Sequence, residues 1–268
     1  THKEQIINET ATVVKKLEKS GAVLIAKLSL GALAWGDVWF DGKTKNPWNP
    51  KQGSSGSSAG PGSATAAGLV AFSIGSETWG SIISPSSVNG VTGLRPTFGT
   101  VSKAGAMALS WSMDKIGPMC RSVDDCALVF NTIKGPDNID FSVVDIPFRI
   151  QKTENLKNLK IGYIKSAFSS EKTSINDKSV LSKLEDIGFQ LVPIELPEFP
   201  TSALSFLLNV EAAAAFDELT RNNKDDDLVR QVKMAWPNVF RQARYVPAVE
   251  YIQANRARVL LDEKMTKL

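Results

Sequence analysis

Apolar residues near the start of the chain fall at helical spacing. Ile6, Ile7, Val13, Val14 and Leu17 predict a helix over residues 4–20, and Gly21 stands where a cap would. The next run, residues 22–28, is short, continuous and aliphatic, and reads as a buried strand. Residues 37–52, holding Gly42, Pro47 and Pro50, read as a loop. Small side chains over 60–69 suit a helix packed closely against backbone, with a strand at 70–75 behind it. Ser122, followed three positions later by Asp125, resembles a capping box ahead of Ala127, Leu128, Val129 and Ile133, so a helix should end near Gly135. Strands at 160–164 and 189–196 flank a helix at 176–187 that Gly188 would terminate. This is a βαβ unit and implies a parallel sheet. From Thr201 the pattern is helical, at 204–219, at 228–244 with a break at Pro237, and at 249–268. Mixed helices and strands of this kind define an α/β chain.

Composition adds mainly exclusions. With 268 residues, 43% hydrophobic and 22% charged, the chain can bury a large core. The net charge of +3 is spread out, and the lysine-rich stretch at 152–165 alternates with apolar residues like a solvated face, so no nucleic-acid partner is expected. No run approaches the length that spans a bilayer, so no membrane partner is expected either. His2 is the only histidine, and Cys120 and Cys126 have no histidine or further cysteine beside them. A Ser-His-Asp or Cys-His machine therefore does not fit, nor does a structural zinc site. A serine remains usable if another group accepts its proton, and lysine is one known alternative. The two cysteines read as buried small hydrophobes near a helix start, which suits a reducing compartment and favours the cytoplasm. The start at Thr1 and the charged helical end at 264–268 suggest a longer parent chain. A lost leader would leave export open.

The candidate chemistry lies in residues 53–101, GSSGSSAGPGSATAAGLVAFSIGSETWGSIISPSSVNGVTGLRPTFGTV. On composition alone a Ser/Gly-rich stretch is as readily a flexible linker. Here it runs straight into Ala64, Ala66, Ala67, Leu69, Val70 and Phe72, a core-like pattern. The blocks at 56–68, at 75–82 (GSETWGSI), at 85–90 and at 93–97 (GLRPT) resemble, in order and register, those of the amidase signature family. The resemblance extends upstream through ATVVKKLEKSGAVLIAKLSL and downstream through GPMCRSVDD, and it weakens beyond Asp140. It implies the amidase signature fold, a mixed, largely parallel β-sheet core covered by helices on both sides. It also implies one domain over residues 1–268, incomplete at both ends.

The same resemblance implies a Ser-Ser-Lys triad. Ser81, in the Gly80-Ser81-Ile82 turn, matches the nucleophile that forms an acyl-enzyme; without the flanking motif it would read as a helix-capping serine. GSS occurs twice, and the family's spacing back from Ser81, with Ala66 to Gly68 in register, selects Ser57 as the proton relay. Ser54 and Ser55 are then loop residues, Ser58 supports the loop by hydrogen bonding, and the Gly56–Ser57 bond is expected to be cis. The backbone N–H groups of Thr78, Trp79, Gly80 and Ser81 match an oxyanion hole, with Glu77 in support behind it. No cofactor and no metal are implied. Many members have Gly at the position of Trp79 and Arg at that of Ile83, so the indole either reshapes the acyl pocket or packs into the core. The family's catalytic lysine lies upstream of the region resembling ATVVKKLEKSG. Lys27 matches a different lysine, Lys15, Lys16, Lys51 and Lys103 read as surface residues, and no base is assigned. The expected function is hydrolysis of a small-molecule amide. The A subunit of glutamyl-tRNA amidotransferase is an alternative, against which Trp79 and SIISPSSVNG lean towards a general amidase. A non-catalytic scaffold is a third reading, and a homodimer stays open.

Overall fold

The computed structural model describes residues 5–150, 159–170 and 173–268; His2, Glu4 and part of the lysine-rich stretch at 152–165 lie outside them. The chain divides into two compact units, residues 1–148 with 208–244, and residues 149–207 with 245–268.

The first helix, α1 (Thr12–Lys19), is shorter than its pattern suggested. Residues 5–11 are irregular, with Ile6 and Ile7 exposed, whereas Val13 packs against Val101, Ile116, Phe130 and Ile133. Helical spacing alone is not enough where no apolar surface receives it. Residues 22–28 form no strand, and Val23, Leu24 and Ile25 are exposed. A strand exists by pairing, and no ladder runs beside this segment among the described residues. The expected loop at 37–52 instead forms two short antiparallel hairpins, β1 (Val38–Trp39) with β2 (Gly42–Lys43) and β3 (Lys45–Asn46) with β4 (Asn49–Gly53). Buried Asn46 fixes the second by accepting from the Trp48 N–H at 2.9 Å and donating to the Val88 carbonyl at 3.0 Å.

Helix α2 (Ala59–Ala66) and strand β5 (Ser73–Glu77) follow, the strand displaced towards the C-terminus from the expected 70–75. Then come α3 (Ile83–Asn89), β6 (Thr92–Gly93), β7 (Lys115–Cys120) and α4 (Val123–Ile133). The Ser122 hydroxyl accepts from the Asp125 N–H at the start of α4, as the capping pattern required. Of the GLRPT block at 93–97, only Gly93 lies in a strand. The sheet order is β5-β7-β6, antiparallel throughout, with Ser73 opposite Met119 and Glu77 opposite Lys115. Alternate residues of β7 face opposite ways: Ile116 and Cys120 join the cores under α1 and α4, while Met119 faces Gly62 of α2. Helices thus cover both faces. Cys120 and Cys126 are buried and unbridged, as small hydrophobes would be.

The second unit holds β8 (Lys160–Ile164), α5 (Lys165–Phe168), α6 (Ile175–Ile187) and β9 (Gln190–Ile194). The two strands pair in parallel, Lys160 beside Gln190, which gives the expected βαβ unit. Ser174 and Asp177 form a reciprocal capping box on α6, and Gly188 closes it at φ 103°. Among the described residues this is the one parallel strand pair, so the first unit departs from the largely parallel sheet expected: β7 runs against both of its neighbours.

The helical final third contains α7 (Ser205–Ala215), α8 (Asp217–Arg221), α9 (Trp236–Ala243) and α10 (Ala248–Thr266). The helix expected over 228–244 begins only at Trp236. Pro237 lies in its first turn, where a missing N–H costs nothing, rather than interrupting its middle. Ala212, Phe216, Trp236, Val239 and Phe240 form a second core of the first unit, closed by Leu109. No helix among the described residues is long and apolar enough to cross a membrane.

Candidate active site

Strand β4 leads into the serine-glycine segment. Ser54 is a loop residue as expected, and it is fully buried, its N–H donating to the Thr44 carbonyl and its own carbonyl accepting from Asn89 Nδ2. Ser55 has φ 59° and shares a 2.7 Å hydroxyl contact with Ser84. The Gly56–Ser57 bond is cis. A Cβ at Gly56 would lie 1.8 Å from the Gly36 carbonyl oxygen, so only glycine fits. Ser57 is buried, and its carbonyl accepts from the Gly31 N–H at 2.9 Å.

Ser58 joins the pieces. Its hydroxyl accepts from the Ser76 N–H at 3.1 Å and donates to the Ser76 carbonyl at 3.0 Å, which fixes the start of α2 on β5. Its own N–H donates to the Ser81 carbonyl at 3.1 Å. The residue after Ser57 is therefore bonded directly to Ser81.

The turn from β5 to α3 carries the remaining candidates. The buried Glu77 carboxylate accepts from the N–H groups of Ile82 and Ile83 at 2.8 and 2.9 Å, and Arg95 Nη1 reaches it at 3.3 Å. Gly80 takes φ 98°, a left-handed conformation that a side chain would strain, and its carbonyl accepts from the Ser84 N–H at 2.8 Å. The N-terminal cap position of α3 is Ile82 and no side chain caps the helix, so Ser81 is not a capping serine. Thr78 Oγ1 donates to Asp114 Oδ1 at 2.5 Å.

A cleft of about 260 Å³ collects Ser81, Thr78, Trp79 and Gly56. Ser57 and Gly80 are not among its lining residues. Trp79 is 61% exposed, so the core-packing alternative for it fails. A neighbouring cavity of about 250 Å³ shares Thr78 and adds Ser76, Asp114 and Lys115. Lys115 Nζ donates to the Thr78 carbonyl at 3.3 Å and to that of Met113, and burial holds its pKa below the ordinary lysine value against the opposing charge of Glu77.

Asp114 and Lys115 did not emerge from the motif blocks. The available signal was an Asp-Lys pair immediately before the apolar strand IGPMC, a place where charges need partners. Two lysines read as surface residues are also anchored. Lys16 Nζ donates to the carbonyls of Lys134 and Gly135 at 2.8 and 2.6 Å, and Lys103 pairs with Asp140 at 2.9 Å. Lys15, Lys27 and Lys51 are exposed.

One known class of proteins matches nearly the whole chain. The chain is a member of the amidase family, whose model, described as Amidase, matches residues 2–267. Among its relatives, the A subunit of glutamyl-tRNA(Gln) amidotransferase from Saccharolobus solfataricus is 38% identical over 184 residues, 66% of this chain and 38% of that protein. The corresponding subunit from Exiguobacterium sibiricum is 35% identical over 243 residues, 87% of this chain and 50% of that protein. Among solved structures, the peptide amidase of Stenotrophomonas maltophilia superimposes with a TM-score of 0.78 at 29% identity, covering 91% of this chain and 57% of that one. An amidase family protein from Bacillus anthracis gives 0.83 at 26% identity, covering 98% and 59%. The fold is thus the amidase signature fold, and the chain spans half or less of the length of these two curated relatives.

Proposed function

We propose that the protein is an amide hydrolase that forms an acyl-enzyme on Ser81. The observation that carries this reading is the 3.1 Å bond from the Ser58 N–H to the Ser81 carbonyl, which keeps Ser57 beside the turn whose Ser81 opens into the cleft. In this mechanism Ser81 Oγ attacks the amide carbon while its proton passes to Ser57, whose own proton moves on to a general base. The N–H groups of Thr78, Trp79 and Gly80 receive the developing negative charge on the carbonyl oxygen. The departing amine is protonated back along the same relay, and water then attacks the acyl carbon, releasing the acid and restoring Ser81. Glu77 and Ser58 hold the two serine segments in place without touching the substrate. Lys115 is not assigned as the base, since its ammonium is directed at two carbonyls beside the neighbouring cavity. The family match from 2 to 267 supports treating both compact units as parts of one amidase domain.

A fluorophosphonate probe tests the reading, because it labels only an activated serine. Labelling should map to the peptide bearing Ser81 and fall to background in Ser81→Ala; undiminished labelling of that variant would refute the assignment.

The second reading, an amidotransferase A subunit, is motivated by the curated relatives. Its mark would be ammonia release from glutamine that depends on a partner subunit. The cleft favours the first reading, since among the described residues no charged side chain lines it to meet the ammonium and carboxylate of glutamine.

A further inference from the structure

Half of the chain's six tryptophans, Trp35, Trp79 and Trp236, line the cleft that Ser81 opens into. Leu109, Leu208 and Ala34 complete an apolar wall. The indoles of Trp35 and Trp236 meet edge to face at 5.0 Å. Behind them Trp236 stacks on fully buried Phe240 at 5.2 Å, and Phe240 on Phe216 at 5.5 Å. This aromatic column reaches from the second core to the cleft and fixes Trp236 from behind, whereas Trp79 presents an open ring. Rigid aromatic faces favour a flat π-system, through offset or edge contacts, over a short aliphatic chain.

A second observation concerns the same wall. Trp236 is 6% exposed, and its indole N–H has no hydrogen-bond partner. That N–H is itself enclosed, so the ring is a fixed part of the wall.

We propose that this cleft selects amides of flat aromatic acids. The proposal deepens the reading of Ser81 as nucleophile and rests on it for catalysis, but the binding it claims can be measured separately.

Ligand-observed NMR titration of the protein with acetamide and benzamide gives the dissociation constants directly. Benzamide should bind at least about tenfold more tightly than acetamide, and Trp79→Ala should remove most of that margin. Trp79 is exposed, so this variant is expected to fold. Equal affinity for acetamide and benzamide overturns the aromatic selectivity. Running the titration on Ser81→Ala separates the two readings: benzamide binding without probe labelling of the parent protein leaves the pocket and removes the nucleophile, and labelling without selective binding does the reverse.

Discussion

The Glu77 carboxylate is 1% exposed and satisfies two buried backbone donors, the N–H groups of Ile82 and Ile83, just beyond Ser81. Its ion pair with Arg95 is weaker support, because the arginine side chain is 55% exposed at 3.3 Å. The two contributions can be told apart. Glu77→Ala strands both donors and should cost about 2–4 kcal/mol of unfolding free energy, whereas Arg95→Ala should cost less than about 1 kcal/mol. Urea denaturation of the two variants checks this, and a larger loss for Arg95→Ala would show that the ion pair dominates. Glu77 was legible in GSETWGSI, and Ser58 was legible as a hydrogen-bonding support. The setting of Trp79 was not. Trp79 lines a cleft together with Trp35 and Trp236, which come from distant parts of the chain and carry no local signal.

At the scale of elements, the β5/β7 register puts Glu77 opposite Lys115, so the loop before β7 meets the turn after β5. Asp114 uses the meeting: Oδ1 accepts from the Thr78 hydroxyl, and Oδ2 from the N–H groups of Leu109 and Ser110 at 2.8 and 2.9 Å. Glu211 of α7 grips the same loop through the hydroxyls of Ser110 and Ser112 at 2.5 and 2.6 Å. Thr78 is thereby held by a braced loop, and its N–H by consequence. Thr78→Val should slow fluorophosphonate labelling of Ser81 about tenfold, and Thr78→Ser should restore it. A valine variant labelled at the parent rate would show that the tether does not position the turn. The start of α4 and the end of α6 were legible because Ser122 and Gly188 act within one turn of the backbone they satisfy, whereas the Ser174–Asp177 capping box of α6 was not read. Residues 22–28 were misread because a strand needs a neighbour, which side-chain pattern does not supply. The start of α9 was misplaced because Pro237 is equally at home as a breaker or as a first-turn residue.

Across the first unit as a whole, two aspartates tie separate segments together. Asp137 accepts from Thr12 of α1 at 2.6 Å, from Ser102 at 2.5 Å and from the N–H groups of Ile139 and Asp140. Asp140 pairs with Lys103 Nζ at 2.9 Å and also accepts from the Lys103 N–H and from Ser142. Burial alone would raise the Asp140 pKa, but the bonds from Ser142 and Lys103 outweigh it and hold the carboxyl at about 2. Asp137 is displaced in the same direction, the bonds from Ser102 and Thr12 overcoming its burial. Both groups are more acidic folded than unfolded. The stability they contribute is fully present above the ordinary aspartate value of about 4, and it is lost as pH falls from there towards about 2. After allowance for solvent screening this amounts to on the order of 1–2 kcal/mol. Lys115 works in the opposite sense at the other end of the scale. Its pKa is lowered by burial, so its charge opposes folding at neutral pH and that penalty lifts as pH rises towards the ordinary lysine value. Urea midpoints measured from pH 5 down to pH 3 should therefore fall in the parent protein. In Asp140→Asn, which keeps the side-chain shape but cannot titrate, the midpoint should start lower at pH 5 and decline less. A variant whose acid profile runs parallel to the parent's would place the acid sensitivity elsewhere in the molecule.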